Sequence, residues 1–418
     1  MNMTQATQTM PAGYKQTEIG VIPVDWDVKK LKDIANYRRG SFPQPYGLDK
    51  WYDNNFGMPF VQVVDVDDNF KLKPNTKQKI SKEGAKLSVY VKKGTIILTI
   101  QGSIGRVCIT QYDAYVDRTL LIFESFKEQF DKYFFLLKIF KKFEIEKEKA
   151  PGGIIKTITK EALSSFEISY PTNQLEQTAI ATVLFDTDAL IENLEKLIAK
   201  KRAIKQGTMQ QLLTGKKRLP GFSGKWKLKK LGEITEMNSG GTPPSKVKSY
   251  YGGHLMWASI ADMTSIGKYI SDTEKKLTEM GLANSSARIF PKNTVLYAMY
   301  ASIGECCIAS NTIATSQAIL GIRCGSKINN IYLYYYLNSI KDKVKLLGQQ
   351  GTQSNLNKGM VENFELGLPE PAEQTAIAAV LSDMDTEIEK LENKLTKYRQ
   401  IKIGMMQQLL TGKIRIYE

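Results

Sequence analysis

The chain has one histidine and four cysteines among 418 residues, and both scarcities exclude kinds of site. His254 alone cannot serve a scheme that needs two imidazoles, such as a histidine-rich metal site. The cysteines form no CxxC pair, and Cys306 and Cys307 are adjacent, which argues against a zinc site and a disulfide framework. We therefore expect reduced, mostly buried thiols and a cytoplasmic protein.

Membrane and nucleotide-binding signals are missing as well. No stretch reaches about 18 consecutive apolar residues, and residues 1–13 are predicted to be a polar, disordered tail without a signal-peptide core. The sequence has no GxxxxGK[ST] loop, no GxGxxG after a strand, and no Asn-Pro-Pro-Tyr or Asp-Pro-Pro-Tyr segment. These absences favour a binding protein without a catalytic residue, metal or cofactor, although 43 acidic residues leave a nuclease site open.

Positive charge is what the chain has in excess. The formal net charge is +15 and the pI is near 9.3, which favours a polyanionic partner: nucleic acid first, an anionic membrane surface second. A basic surface without a partner is the alternative interpretation. Basic residues also crowd the connector between the two halves of the chain, where they either contact phosphate or face solvent: Lys216, Lys217, Arg218, Lys225, Lys227, Lys229 and Lys230.

One segment occurs twice and organises the chain. Residues 176–216 and 373–413 share about 27 of 41 aligned positions, far above chance for two segments of one chain. Both begin Glu-Gln-Thr-Ala-Ile-Ala and end Met-Gln-Gln-Leu-Leu-Thr-Gly-Lys, with apolar residues stepping by four and three as in a coiled coil. The Thr-Gly at the end of each copy predicts that the helix stops at Gly215 and at Gly412. Two such helices in one chain predict antiparallel pairing. The predicted seam comprises Ile180, Leu184, Thr187, Ile191, Leu194, Ile198, Ile377, Leu381, Met384, Ile388, Leu391 and Leu395.

The outer faces of these helices carry a second group of basic residues. We expect this group to be free for partner subunits or for phosphates. It comprises Lys200, Lys201, Arg202, Lys397 and Arg399.

The repeat extends over the whole chain. Trp26 and Gly40 precede Trp226 and Gly240 by 200 residues, and the helices repeat at 197, so each half is a globular region followed by a long helix. This predicts a pseudo-two-fold internal repeat of the α+β class. The predicted divisions are a first globular domain at 14–171, a central helix at 172–216, a second globular domain at 217–369 and a C-terminal helix at 370–418.

Short runs rich in β-branched residues alternate with charged helical segments in both globular regions, and the strand order cannot be deduced from them. The predicted strands are 60–64, 94–100, 119–123, 166–171, 294–299, 318–323 and 364–369. The predicted helices are 130–149 and 330–347.

Side chains that suit DNA lie at strand ends and in loops. Gln, Asn and Arg can make bidentate contacts to purine edges, and Ser, Thr and Lys suit phosphates, although each alone is more often an ordinary surface residue. The amide-rich segment 349–355 is the strongest candidate. The candidates in the first region are Arg38, Arg39, Ser41, Gln62, Gln101, Arg106, Arg118 and Lys156. Those in the second are Ser239, Thr242, Ser259, Tyr300, Ser302, Gln317, Gln349, Gln350, Thr352, Gln353 and Asn355.

The chain resembles a specificity (S) subunit of a type I restriction-modification system, the HsdS family. The resemblance covers nearly the whole chain after residue 13. It is carried by the duplicated helix ends, by Arg218-Leu-Pro-Gly-Phe222 with Trp226, and by Gly351-Thr-Gln-Ser-Asn-Leu356. The first half departs from the last motif, with Ile154-Ile155 in place of the polar pair, so its contacts are expected to be distributed differently.

The resemblance implies two α/β target-recognition domains separated by two long conserved helices that form an antiparallel coiled coil. Each domain would read one half of a split, asymmetric site in double-stranded DNA, and the helices would set the spacer. Two methyltransferase subunits and the restriction motor-nuclease subunits would bind this chain, and they would carry S-adenosylmethionine, ATP and Mg²⁺. The resemblance implies no membrane partner. The alternatives are a stand-alone nuclease or methyltransferase and a coiled-coil assembly protein.

Overall fold

The chain forms two compact units in the computed structural model. Unit 1 comprises the chain up to Leu194 and again from Lys394 onwards, and unit 2 comprises Glu195–Asn393. Both cuts fall inside a long helix, so each unit contains part of both helices. The domain limits proposed above stay a prediction. The structure describes residues 10–149, 158–349 and 355–416.

The strands of unit 1 are β1 (Tyr14–Thr17), β2 (Gly20–Pro23), β3 (Trp26–Lys30), β4 (Ala35–Arg39), β5 (Met58–Val61), β6 (Gln78–Ile80), β7 (Val89–Val91), β8 (Ile96–Thr99), β9 (Val107–Ile109), β10 (Ala114–Val116), β11 (Leu120–Phe126) and β12 (Glu167–Pro171). Its helices are α1 (Leu31–Ile34), α2 (Lys82–Ala85), α3 (Lys132–Lys149) and α4 (Lys160–Ser164). The long helix α5 (Gln174–Leu212) begins in unit 1 and ends in unit 2.

The strands of unit 2 are β13 (Lys227–Lys230), β14 (Thr235–Ser239), β15 (Tyr251–Ala258), β16 (Tyr269–Ile270), β17 (Lys275–Leu277), β18 (Ile289–Phe290), β19 (Val295–Ala298), β20 (Cys306–Ala309), β21 (Ile313–Thr315), β22 (Ile319–Cys324) and β23 (Glu365–Leu368). Its helices are α6 (Leu231–Ile234), α7 (Ile260–Ser265), α8 (Glu279–Ala283), α9 (Asn330–Ser339), α10 (Lys341–Gln349) and α11 (Lys358–Glu362). The long helix α12 (Pro371–Leu409) begins in unit 2 and ends in unit 1.

The two units repeat the same sheet topology. An antiparallel sheet of order β4-β11-β8-β9 in unit 1 corresponds to β14-β22-β19-β20 in unit 2, where β16 adds a fifth strand. A mixed sheet of order β6-β5-β10-β7 corresponds to β17-β15-β21-β18, and the central pair runs parallel in both. The internal repeat seen in the sequence is therefore a repeat of fold, with the α+β class that was predicted.

Each unit has its own core, to which both long helices contribute. In unit 1, Ile180 and Leu184 near the start of α5 pack with Met406 and Leu409 near the end of α12. In unit 2, Leu212 at the end of α5 joins residues near the start of α12 in the second core. The start of one helix thus meets the end of the other in each unit, which is the antiparallel pairing predicted from the two apolar stripes.

The predicted seam is almost entirely buried. Ile180, Leu184, Ile377 and Leu381 are at most 1% exposed, and only Leu391, Thr187 and Met384 of the predicted set are half-buried. The remaining seam residues, which are also buried, are Ile191, Leu194, Ile198, Ile388 and Leu395.

A glycine closes each long helix, as Thr-Gly predicted. Gly215 and Gly412 have φ of 69° and 71°, a left-handed conformation that costs glycine little. Their amides donate to the carbonyls of Leu212 and Leu409, and the lysine amide that follows donates further back into the helix in unit 1. The repeated Leu-Leu-Thr-Gly ending is therefore a helix C-cap.

Several predicted elements are shifted or divided. The predicted strand 60–64 is strand only to Val61, because Val63–Asp65 form a 3-10 turn. The single helix predicted at 330–347 is two helices, α9 and α10, which meet at Ile340. The other predicted strands are present with ends moved by a few residues.

Two basic residues predicted to be free, Lys201 and Arg202, are paired within unit 2, so that prediction is wrong for them. Lys201 Nζ lies 2.6 Å from Glu387 and Arg202 Nη2 lies 2.5 Å from Glu392, both on α12. In the connector, the guanidinium of Arg218 binds the buried carboxylate of Glu373. Charges that appear solvated in one helix are partly neutralised by the helix packed against it.

The four thiols are free, and three of them are buried. Burial raises the pKa of Cys307 and of Cys324 to about 12, so these thiols stay protonated at neutral pH. Among the described helices, none combines the length and the apolar character needed to cross a membrane.

Candidate nucleic-acid interface

Three loops of unit 1 meet at one end of its antiparallel sheet. The amide of Gly40, after β4, donates to the carbonyl of Leu120 at 3.0 Å, and the amide of Ser41 donates to Val116 at 3.0 Å. The amide of Ile100, at the end of β8, donates to the carbonyl of Thr119 at 3.0 Å. We call this meeting point the reading edge of unit 1: residues 38–41, 100–105 and 117–119.

Four predicted DNA contacts lie on this edge with free or partly free side chains. Arg39, Gln101 and Arg118 are exposed, and the Arg118 guanidinium stands over the ring of Tyr46, 5.6 Å from its centroid. Arg38 is exposed as well, with Nε 4.0 Å from a Glu124 carboxylate oxygen. Guanidinium and amide groups of this kind can bind base edges or phosphates.

Unit 2 builds the same edge from different side chains. The amides of Gly240 and Gly241 donate to the carbonyls of Ile319 and Thr315, and that of Met299 donates to Ala318, all at 2.9 to 3.0 Å. We call residues 238–242, 299–304 and 316–318 the reading edge of unit 2.

On this second edge, Ser239 and Gln317 occupy the places that Arg39 and Arg118 occupy in unit 1. Thr242 and Gln317 are exposed and adjacent, because the backbone N–H of Gln317 donates to Thr242 Oγ1 at 3.4 Å. Ser239 and Ser302 are half-buried, and Tyr300 is 37% exposed. The same backbone edge therefore carries a different set of donors and acceptors in each unit.

In unit 2, Leu356, which follows the candidate segment 349–355, is hydrogen-bonded to the reading edge. The amide of Leu356 donates to the carbonyl of Met299 at 3.0 Å, so the exposed Asn355 directly precedes a residue bound to this edge. The candidates Lys156, Gln350, Thr352 and Gln353, and the side chain of Gln349, lie outside the described residues.

Other candidates serve the fold in the described structure. Ser259 Oγ donates to Asp262 at 2.6 Å in a reciprocal helix cap, and the amide of Gln62 donates to Asp65 at 2.9 Å in the matching position of unit 1. Arg106 Nε lies 3.0 Å from Asp68. Since these interactions occupy the Ser259 hydroxyl and the Arg106 guanidinium, these two residues are weaker candidates, whereas the bond of Gln62 is made by its backbone; the DNA contacts of all three stay a prediction.

Three residues at the edges were not indicated by the sequence. Tyr46 stacks under Arg118, and Asp117 Oδ1 accepts hydrogen bonds from the amide and the hydroxyl of Thr119, at 2.9 and 2.5 Å, which fixes the turn. In unit 2, Arg288 Nη1 donates to Asn238 Oδ1 at 3.0 Å. Tyr46 follows two prolines in a loop, which was the available signal.

No cluster of His, Cys, Asp and Glu capable of holding a metal ion occurs among residues 10–149, 158–349 and 355–416. The predicted absence of metals and cofactors from this chain stays a prediction.

Comparisons with known proteins agree with this architecture. The family described as "Type I restriction modification DNA specificity domain" matches residues 23–201 and again residues 223–397. The type I restriction enzyme MjaX specificity subunit of Methanocaldococcus jannaschii is 27% identical over 430 residues, covering 96% of this chain and 97% of that protein. The MjaIX specificity subunit of the same organism is 34% identical over 175 residues, 41% of this chain and 40% of that protein.

A solved structure shares the fold at low identity. The type I restriction-modification system S subunit from M. genitalium has a TM-score of 0.59 at 16% identity, covering 92% of this chain and 96% of that one. The chain belongs to the type I restriction-modification DNA specificity family. It is a specificity subunit, and its function is the recognition of a DNA target as part of a complex with other subunits.

Proposed function

We propose that each unit reads one half of a bipartite, asymmetric DNA site through its reading edge. The observation that carries this proposal is the same backbone edge in both units with different side chains: arginines 39 and 118 in one, Thr242 and Gln317 in the other. Two similar scaffolds with different donors and acceptors would recognise two unlike half-sites.

A domain exchange tests this proposal. Residues 14–170 would be replaced by the corresponding region of another family member, and the methylated sites in a host carrying the hybrid would be sequenced. We expect one half of the bipartite sequence to change and the other to stay. A change in both halves would contradict independent reading, and the exchange of 217–369 is the matched control.

We further propose that the paired helices set the spacing between the two half-sites. Each helix has 39 residues, which corresponds to about 58 Å at roughly 1.5 Å per residue. A four-residue insertion within 196–205, matched by one within 393–402, would add about 6 Å, close to two base pairs of duplex. A spacer of unchanged length in the sequenced sites would contradict this ruler.

The outer faces of the helices are, in this proposal, docking sites for two methyltransferase subunits, which restriction subunits then join. S-adenosylmethionine, ATP and Mg²⁺ would act on those partners, and this chain would be non-catalytic. The test is the purified chain alone, incubated with DNA and either S-adenosylmethionine or Mg²⁺. Methylation or cleavage without partners would favour a stand-alone enzyme.

A further inference from the structure

A run of lysines distinguishes unit 1 from unit 2. Residues 71–93 contain eight lysines and one glutamate, whereas the corresponding residues 268–292 contain five basic and three acidic residues. Both segments hold the same elements, an edge strand followed by a short helix: β6 and α2 in unit 1, β17 and α8 in unit 2. The difference in charge is therefore not a difference in fold.

The two short helices are built in the same way, so residues can be matched one to one. Ser81 Oγ accepts from the Gly84 amide at 3.2 Å and donates to the carbonyl of Lys50 at 2.7 Å. Thr278 Oγ1 accepts from the Gly281 amide at 3.0 Å and donates to the carbonyl of Ser249 at 2.8 Å.

By this correspondence, three lysines of unit 1 occupy positions where unit 2 has residues without a positive charge. Lys50 corresponds to Ser249, Lys82 to Glu279 and Lys86 to Ala283. We call Lys50, Lys82 and Lys86 the lysine face.

The lysine face is not neutralised by the fold. All three side chains are exposed, and within the described residues none lies in a salt bridge with a carboxylate. Lys50 Nζ rests 4.3 Å from the ring centroid of Trp51. In unit 2, by contrast, Glu279 lies 3.4 Å from His254 Nε2. Like charges held together without partners are mutually repulsive, so they favour an external polyanion.

The lysine face is continuous with the reading edge of unit 1. Ser41, on that edge, donates its hydroxyl to the carbonyl of Leu87 at 2.9 Å, one residue after Lys86. On the other side, the loop that leads to Lys50 begins at the edge and carries Tyr46, on which Arg118 stacks. Trp51 Nε1 donates to the carbonyl of Pro45 at 2.9 Å and holds this loop. DNA lying on the reading edge would pass beside the three lysines.

We propose that the lysine face of unit 1 binds the phosphate backbone of duplex DNA beside the half-site that unit 1 reads, and that unit 2, with Ser249, Glu279 and Ala283 in these places, lacks these three contacts. The inference rests on the proposed reading by unit 1. Contacts to phosphate release counterions and are independent of sequence, so the face contributes affinity and salt dependence but no specificity. The two units therefore hold DNA unequally.

The test compares the full-length chain with Lys50→Gln/Lys82→Gln/Lys86→Gln. The probes are a duplex carrying the sequenced target and a scrambled duplex of equal length, each titrated over a range of salt concentrations. Each lost phosphate contact lowers the slope of log affinity against log salt by about 0.9, so we expect a decrease of two to three. Both duplexes should lose affinity by a similar factor.

The matched control removes three exposed lysines from the opposite end of β4. Lys30→Gln/Lys32→Gln/Lys127→Gln causes the same change of charge in the same unit, and it should leave most of the slope intact. Equal slopes for the two triple variants would overturn the proposal, as would a loss confined to the target duplex. A native chain that does not distinguish target from scrambled duplex would instead contradict the proposed reading function.

The reciprocal variant guards against misfolding as an explanation. Ser249→Lys/Glu279→Lys/Ala283→Lys places the lysine face on unit 2, on a construction that already accepts these residues in unit 1. We expect steeper salt dependence and tighter binding of both duplexes. An unchanged slope of log affinity against log salt in this variant would show that lysines at these positions do not contact DNA.

Discussion

The two units bury a glutamate near the start of each long helix and satisfy it in different ways. In unit 1, Glu176 accepts from Arg415 Nε and Nη2 at 2.5 and 2.7 Å. In unit 2, Glu373 accepts from Arg218 Nε and Nη2 at 2.5 and 2.6 Å and also from Trp226 Nε1 at 3.0 Å. The fold preserves the pair of carboxylate and guanidinium, and the surrounding polar contacts vary.

Within the part of the chain that the structure describes, the corresponding tryptophan of unit 1, Trp26, makes no hydrogen bond like that of Trp226 to Glu373. Trp26 Nε1 is buried without a hydrogen-bond partner among the described residues, and Lys138 Nζ stands over the ring, 5.4 Å from its centroid. Lys138 is itself buried and donates to Ser169 Oγ at 2.9 Å and to the carbonyl of Leu410 at 2.7 Å. Its counterpart in unit 2 is Tyr336, whose hydroxyl donates to the carbonyl of Glu365 at 2.6 Å. The two interiors therefore differ in charge while their backbones correspond.

The largest effect should come from removing the arginines. Arg415→Ala leaves Glu176 fully buried with no other partner among the described residues, and breaking such a pair should lower the free energy of unfolding by roughly 3 kcal/mol. Arg218→Ala should cost less, because Trp226 still donates to Glu373, whereas Arg415→Ala also removes the ion pair with Asp25. Denaturant unfolding of both variants measures the difference. Equal losses in the free energy of unfolding would contradict the difference inferred between the two units. Adding Trp226→Phe to Arg218→Ala should bring its loss closer to that of Arg415→Ala.

The second prediction is that the free energy of unfolding depends on pH through the titration of Lys138. Burial, helped by the charge of Lys142, lowers the pKa of Lys138 to about 7, against an ordinary value of 10.5 in the unfolded chain. Between these values the unfolded state binds more protons, so the free energy of unfolding should rise with pH, by up to about 1.4 kcal/mol per pH unit.

Lys138→Met should flatten this rise when unfolding is measured from pH 7 to 9. Tyr336→Phe is the control in unit 2, because burial raises the pKa of that hydroxyl to about 12, above the range. Identical slopes for the native chain and Lys138→Met would show that the buried ammonium does not titrate there.

A third prediction concerns a place where the units should behave alike. Lys402 Nζ lies 2.5 Å from Asp188 Oδ1 in unit 1, and Lys205 pairs with Asp385 in unit 2; a tyrosine hydroxyl donates to each aspartate. Lys402→Met and Lys205→Met should each cost about 1 kcal/mol in unfolding experiments. A clear difference between them would mean that the pairing of the helices is not equivalent in the two units.

The smallest effect is expected at a strained position on the reading edges. Gly102 and Ala301 occupy matching places with φ of 68° and 56°, and only glycine adopts this conformation without strain. Ala301→Gly should therefore stabilise the chain, and Gly102→Ala should destabilise it, each by roughly 0.5 kcal/mol. Thermal unfolding measures both. A loss of stability in Ala301→Gly would contradict the assignment of strain to Ala301.

The sequence predicted the helices best, because their signals are local. A repeated apolar stripe and a Thr-Gly end were enough to place the seam, the antiparallel pairing and the C-caps at Gly215 and Gly412. The division of 330–347 at Ile340 was missed, since both halves share helical spacing.

Side-chain partners were predicted poorly because they come from distant parts of the chain. Arg218 was predicted to contact phosphate or to face solvent, yet its guanidinium binds the carboxylate of Glu373, 155 residues away in sequence. Ser259 is of a residue type that suits phosphate contacts. Its hydroxyl instead binds Asp262, so Ser259 is a helix N-cap. The lysines of 71–93 can be counted in the sequence. Which residues of unit 2 correspond to them became clear only from the matching hydrogen bonds of α2 and α8.

The close packing behind the reading edges limits how these domains can be re-engineered. A methyl group added to Gly40 would collide with the backbone carbonyls of Val116 and Asp117, and one added to Gly240 would collide with those of Thr315 and Ser316. A combinatorial library intended to change the recognised bases should therefore hold both glycines constant and randomise their exposed neighbours. Variants that alter Gly40 or Gly240 would be lost through misfolding before their sequence preference could be selected.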